Sequence, residues 1–307
     1  MYHEKLTNVL AAMQRGKILT KKGDRYSPAT LQNFNTALSH IAEFEHEQRR
    51  QSTTPDTVQE YFQELQIFLV SKGFAKNTVA TMLENTRAVM RHIKAISVPK
   101  LEHVPTELTT AIYTTTEEQE KLSALDLGKS TSTARIRDVY ILHCNIGVRF
   151  GDLQKILGNL ENFILTENDR QYFRLKTKKV GVYVVIPINR IATEILRKRN
   201  YNLGEIFSLT YYNRVIHDLG QLAGFTEPIC RYVTKGGRMT ESFQPKWQFM
   251  SSHTARRSFA TNAYLNGVPE SDIMQITGHN TITAFRKYVR ADALQKARSL
   301  ADHPFFK

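Results

Sequence analysis

Residues 97–108, SVPKLEHVPTEL, carry two prolines and no amphipathic period. Proline fixes φ and lacks an amide hydrogen, so neither a helix interior nor a central strand can run through such a stretch. It is a connection between domains. The expected organisation is a helical domain at 1–100, a linker at 101–112 and a second domain at 113–307 that ends in a tail helix. Before the linker, Ser27 ahead of Pro28 offers an N-cap with proline in the first turn, and Leu31, Phe34, Leu38 and Ile41 follow at helical spacing. A second stripe after Thr54-Pro55 runs through Val58, Tyr61, Phe62, Leu65, Phe68 and Leu69 to Gly73. A third begins near Asn77 and carries Val79, Met82, Leu83, Val89, Met90 and Ile93 as far as Pro99. The first twenty residues leave room for one short helix, interrupted by KKGD at 21–24.

The pattern changes beyond the linker. Thr115 and Glu118 form a capping box, and an Ile- and Val-rich helix over 133–145 ends in the turn IGVRFGDL. Two alternating runs, QYFRLK at 171–176 and VYVVIPI at 182–188, predict a β-hairpin joined by the lysine-rich TKKVG. Helical periods return at 190–198, 211–222, 254–265 and 270–276, and around Tyr288 and Leu294, while Gly236-Gly237 marks a second short β-ribbon. The expected fold is therefore mainly α, with a small antiparallel β-sheet in the second domain.

Charge narrows the partner. The chain of 307 residues holds 42 Lys and Arg against 29 Asp and Glu, a formal charge of +13. Both sides of position 105 are basic, with 14 basic against 10 acidic residues before it and 28 against 19 after it. Phosphates neutralised by Lys or Arg release condensed counterions, so a basic balance in two domains points to nucleic acid gripped from two sides. No run of about 18 apolar residues suggests a membrane span, and the N-terminal stretch lacks a signal-peptide pattern, so a cytoplasmic, nucleoid-associated protein is expected. Cys144 and Cys230 lack CxxC spacing and read as buried free thiols. A Walker-type loop is absent, no acidic cluster suggests two-metal chemistry, and neither a metal nor a cofactor is expected.

The residues that stand out are suited to phosphate. A pentavalent phosphoryl transition state spreads negative charge over non-bridging oxygens, and fixed arginines stabilise it. A nucleophile and a proton donor complete the requirement. Arg149 lies in a turn between Gly147 and Gly151, which let backbone approach a ligand. His253 and Arg256, three apart, share a helix face near its N-terminus. His279 follows Gly278 at a helix break, and Tyr288 lies nine residues further on. Alone, each has an ordinary structural explanation. The ordered set does not.

NIGVRFGDL at 145–153, the RLKTKKVGVYVVIPI hairpin, SSHTARRSFATNAYLNGV at 251–268 and ITGHNTITAFRKYV at 276–289 together resemble a tyrosine recombinase of the phage-integrase family, in particular the integrases of mobile elements in Bacteroidetes-type bacteria. The resemblance covers about residues 113–290, and the three-helix region resembles the family's SAM-like core-binding domain. It implies that Tyr288 attacks the scissile phosphate to form a 3′-phosphotyrosyl link, and that Arg149 and Arg256 clamp the non-bridging oxygens. His253 would assist proton movement, His279 would donate a hydrogen bond to the phosphate, and Asp152 would support the site. Lys176 would protonate the leaving 5′ oxygen, with Lys178 and Lys179 as neighbouring alternatives. Arg257 is set aside as structural or backbone-contacting.

The resemblance further implies a two-domain, C-shaped clamp on double-stranded DNA, monomeric without DNA and a homotetramer on two sites, with strands exchanged through a Holliday junction and no need for ATP or metal. The family's extra arm-binding domain has little room in this chain, so either a simpler recombinase or a preceding domain outside the sequence is expected. Two other classes stay open, a type IB topoisomerase and a non-catalytic DNA-binding protein. The tail at 291–306, with Leu294, Ala297 and Leu300 at helical spacing, can dock on its own domain or on a neighbouring protomer.

Overall fold

The computed structural model describes all residues except 1, 51–54, 95, 99–105, 108, 129–131, 178–180, 207, 292 and 302–307, and gives the backbone alone for 50, 293, 294, 299 and 300. Most of the 97–108 segment, Lys178, Lys179 and the two terminal phenylalanines therefore lie outside the described residues. The chain divides into two compact units, Met1–Thr110 with Cys230–Ser242, and Ala111–Ile229 with Phe243–Lys307.

The first unit is built on α1 (His3–Gln14), α2 (Pro28–Arg50), α3 (Val58–Ser71) and α4 (Lys76–Met90). The stripes read from sequence are its core: Phe34, Leu38, Ile41, Tyr61, Leu65, Val79, Leu83 and Met90 are all buried. Helix α3 starts one turn later than the Thr54-Pro55 signal, because Thr57 and Glu60 form a reciprocal capping box. One buried carboxylate ties three elements together. Glu45 accepts from the amides of Tyr2 and His3 at 2.7 and 2.9 Å, satisfying orphan donors at the start of α1, and from the Tyr61 hydroxyl at 3.0 Å.

This unit also takes in chain from far along the sequence. Strands β4 (Pro228–Lys235) and β5 (Arg238–Pro245) form the ribbon expected around Gly236-Gly237. Its tip donates from Gly236 N to Phe74 O at 3.3 Å, and Thr234 N meets the Glu107 carboxylate at 3.0 and 3.1 Å.

The second unit surrounds α6 (Ser132–Ile146), buried from Ile136 to Ile146 and hence a central helix rather than a surface one. Its Asp138 is fully buried and compensated by Arg137, Lys198 and Arg199 at 3.0, 3.2 and 2.6 Å. Before it lies α5 (Thr116–Ser123), opened by the Thr115–Glu118 capping box. After it, α7 (Phe150–Gly158) leads through a 3₁₀ turn into β1 (Ile164–Glu167), β2 (Arg170–Lys176) and β3 (Tyr183–Pro187). The sheet is antiparallel in the order β1-β2-β3, pairing Phe173 with Ile186 and Leu175 with Val184 on its buried face. Strand β1 was not expected. Asn168 and Asp169 both have positive φ, forming the tight turn that returns β1 onto β2.

Helices α8 (Arg190–Lys198) and α9 (Leu209–Leu222) pack on α6, and α10 (Ser252–Leu265) crosses it most closely. Then follow α11 (Glu270–Thr277), α12 (Ile282–Arg286) and α13 (Ala293–Ala301). A small separate core of Ala260, Ile273 and Phe285, joined by Phe259 and Tyr288, holds α10, α11 and α12 together. In the tail, Lys296 Nζ lies 5.5 Å from the centre of the Tyr264 ring on α10. Cys144 is buried and Cys230 half-buried, both as free thiols.

Candidate active site

Arg149 is the N-cap of α7, with extended backbone, and its carbonyl accepts from the amides of Asp152 and Leu153. The segment before it is fixed at every residue. Arg256 Nη1 donates to Gly147 O at 2.8 Å, and His143 Nε2 lies 2.9 Å from Val148 O. A carbonyl only accepts, so His143 carries its proton on Nε2 there, leaving Nδ1 to accept from the Tyr212 hydroxyl at 3.2 Å. The Tyr212 ring stacks on Phe150, the next residue after Arg149, with centroids 5.4 Å apart. Burial holds the His143 pKa down at about 4, with Arg256 and His253 adding repulsion.

Gly147 is required for a reason other than ligand approach. Its φ is +65°, and a Cβ there would overlap the Phe259 ring, lying 2.9 Å from Phe259 Cβ. The glycine makes room for helix α10, and Gly151 lies in the first turn of α7 with no unusual φ.

Arg256, the fifth residue of α10, is only 2% exposed. Besides Gly147 O, it donates to Thr277 O and, at 3.3 Å, to His279 Nε2. Its Nε is buried without a hydrogen-bond partner, as is Arg149 Nη1. Burial first, and Arg149 second, lower the Arg256 pKa to about 10. Two guanidiniums, each with one buried donor unused, are thus held close enough to repel one another.

Gly278 caps α11 in the left-handed conformation, φ +64° and ψ +44°, which turns the chain so that His279 faces Arg256. A Cβ at 278 would lie 3.9 Å from Arg149 Nη1 and 4.0 Å from Thr177 Cγ2. Thr277 donates its hydroxyl to Ile273 O at 2.6 Å, so at 2.7 Å it accepts from His279 Nδ1. His279 Nε2 is then the acceptor of Arg256. Burial, then Arg256 and Arg149, depress its pKa to about 4.

Tyr288 follows α12 in a turn instead of sitting within a helix, because α12 ends at Arg286. Its ring centre is 4.6 Å from that of His279, and the Arg256 guanidinium carbon is 5.5 Å from the ring centre. Thr261 Oγ1 donates to Tyr288 O at 3.4 Å and accepts from Arg290 N at 3.0 Å. Asp152 is buried on the first turn of α7, 3.8 Å from Lys155 and close enough to Arg256 to favour its charge.

Arg149, Arg256, His279 and Tyr288 are thus brought together, with Asp152 behind them. His253 is exposed on the first turn of α10, where its charge is felt by His143. Lys176 ends β2 with its Nζ 5.5 Å over the Tyr183 ring. Its neighbour Thr177 reaches Gly278, so the hairpin borders the cluster while the lysine head lies on the exposed sheet face. Sequence reasoning missed His143, Tyr212 and Thr261, the residues that hold the arginine and tyrosine segments. A single histidine inside the apolar run YILHCNI was the only available signal. Among the described residues, no group of three or more His, Cys, Asp and Glu is placed to hold a metal ion.

No protein-family model matches the chain, and no curated protein matches it. Solved structures do. A lambda integrase dimer (residues 75–356) bound to a COC′ core site has a TM-score of 0.64 at 17% identity, over 94% of this chain and 95% of that one. A lambda integrase tetramer bound to a Holliday junction gives 0.63 at 17%, over 92% and 77%. The Tn1549 transposon integrase in complex with circular intermediate DNA gives 0.59 at 15%, over 97% and 99%. The fold is therefore that of the two-domain tyrosine recombinases, mainly helical with small antiparallel sheets. No helix among the described residues is long and apolar enough to cross a membrane.

Proposed function

We propose that this chain is a site-specific DNA recombinase, an integrase of the kind found in mobile elements, working in the cytoplasm on double-stranded DNA. The observation that carries the reading is the convergence of Tyr288 with two arginines whose buried Arg149 Nη1 and Arg256 Nε have no partner. In this reading the scissile phosphate seats its non-bridging oxygens on those free donors. The Tyr288 oxygen attacks phosphorus, the bond to the 5′ oxygen breaks, and a 3′-phosphotyrosyl link conserves the phosphodiester for rejoining. Lys176 turns from Tyr183 to give the leaving oxygen its proton, and His253 carries away the phenolic proton. Asp152 steadies the arginines.

His279 has a more specific part. In the free protein its Nε2 accepts from Arg256, so it donates to phosphate only after Arg256 turns its hydrogen bond to the incoming oxygen. The added negative charge then favours a proton on Nε2.

The division at 101–112 would let the helical and catalytic domains each contact duplex DNA. The fold likeness to a tetramer on a Holliday junction supports a homotetramer exchanging strands in pairs, monomeric before DNA is bound.

Nicked suicide duplexes spanning the element's attachment site test the reading. The protein is expected to form a covalent adduct that vanishes in Tyr288→Phe, a loss of at least about a thousandfold. An adduct that survives in Tyr288→Phe removes the nucleophile assignment. Exchange between two sites without ATP separates recombination from relaxation alone.

A further inference from the structure

Arg257, adjacent to Arg256, does not share its surroundings. Consecutive residues on an α-helix point about 100° apart, so the two guanidiniums approach Tyr288 from different directions. Their carbons lie 5.5 and 5.9 Å from the centre of the same ring. Thr261 stands one turn beyond Arg257 on that face of α10, and its hydroxyl accepts from the amide of Arg290 at 3.0 Å. The Arg257 side chain and the Arg290 backbone therefore meet the same face of α10, and the Arg290 charge is close enough to be felt by Arg257. Arg257 Nε and Arg290 Nε are both buried without a hydrogen-bond partner, and neither arginine forms an ion pair among the described residues. Burial lowers the pKa of each, and Arg290 lowers that of Arg257 further. Two partly buried, mutually repelling cations with unused donors are unfavourable until an anion arrives.

We propose that Arg257 and Arg290 form a second anion seat beside Tyr288, which takes the non-bridging oxygens of the phosphate adjoining the scissile one. This rests on the recombinase reading of the first seat. Successive phosphates on a strand are one nucleotide apart, so a strand laid on Arg149 and Arg256 carries its neighbour past the tyrosine. The second seat fixes the strand's direction across the ring and aligns phosphorus with the nucleophile. Of the two roles expected for Arg257, structural or backbone-contacting, the seat takes the second and gives it a particular phosphate.

Two measurements test this. In a Tyr288→Phe background, affinity for a short duplex is measured between about 50 and 200 mM salt. Replacing both arginines (Arg257→Gln with Arg290→Gln) is expected to reduce the slope of log K against log salt by about 1, one phosphate's worth of released counterions. Arg257→Lys with Arg290→Lys should keep the slope. An unchanged slope in the Gln pair, or equal loss in the Lys pair, overturns the seat. In the cleaving protein, a neutral methylphosphonate is placed at each neighbour of the scissile position in turn. One placement is expected to slow adduct formation about tenfold in the native protein and not at all further in the Gln pair. Losses that multiply, or no sensitive placement, overturn it. Absence of any adduct on unmodified DNA counts against the recombinase reading, while the salt slope still decides the second seat.

Discussion

The segment that presents Arg149 and the segment that presents Tyr288 face one another and are held in opposite ways. Each of Gly147, Val148 and Phe150 has its own buried partner, respectively Arg256, His143 and Tyr212. Tyr288 follows a helix of five residues and is held through its backbone by its amide, which donates to Phe285 O at 2.7 Å, and by the Thr261 hydroxyl, which donates to its carbonyl. Rigidity is concentrated where charge must be met. Cationic donors aimed at a developing charge work best when preorganised, because no reorganisation is then required during reaction. A nucleophile must travel to phosphorus and become covalently bound, so few anchors suit it.

Gly147→Ala should damage the arginine segment most. A methyl group there enters the Phe259 ring, and alanine resists a φ of +65°. We expect a loss of about 3 kcal/mol or more in urea unfolding, with DNA cleavage lost as well. A stability change under about 1 kcal/mol would show that α10 yields at this crossing and that the arginine segment is not over-determined.

His143→Phe comes next. It leaves Val148 O and the Tyr212 hydroxyl without their partner, at a cost of about 2 kcal/mol. The same residue gives a pH signature. Native His143 stays neutral down to about pH 4 while the unfolded residue titrates at 6.5, so the unfolded state binds the extra proton between those values. Stability therefore falls as pH drops from 6.5 towards 4, by up to about 3 kcal/mol from this group. His143→Phe should flatten that fall when unfolding free energies are compared across the range. His143→Gln, which retains a donor for Val148 O, should cost less stability than His143→Phe while flattening the slope equally.

How much of this contrast was legible depended on distance along the chain. The Thr115–Glu118 cap, the stripes of α2 to α4 and the β2–β3 alternation are local patterns, and each formed, although α4 ends at Met90 and leaves Ile93 in a bend short of Pro99. Asn168-Asp169 was also a local signal, for the turn that makes β1, but the run ILTE is too short to announce a strand. The motif residues were legible as an ordered set, yet their surroundings were not. That Gly147 serves Phe259, or that the ribbon tip at 230–242 packs with Met1–Thr110, depends on contacts between residues over a hundred positions apart. Tyr288 was expected on a helix and instead follows one in a turn, whereas Gly278 with its left-handed turn was the visible reason for His279's direction. The spacing from His253 and the resemblance picked out Arg256 over Arg257, but neither showed that Arg256 is sealed against three acceptors.

The smallest effect should fall on the loosely held side. Thr261→Val keeps the shape of the side chain inside α10 but removes the hydroxyl that receives Arg290 N and reaches Tyr288 O. Global stability should fall by about 1 kcal/mol, the net worth of the one good hydrogen bond that the buried Thr261 hydroxyl makes to the Arg290 amide. Cleavage is the sharper readout. With one of its few anchors gone, the tyrosine samples more positions, and the fraction of time spent in line with phosphorus drops. We expect adduct formation to slow about threefold to tenfold with DNA affinity unchanged, the pattern of a lost alignment. If Thr261→Val instead weakens DNA binding and leaves the cleavage step alone, its hydroxyl acts through Arg290 on the DNA. The nucleophile segment would then be as firmly held as the arginine segment it faces.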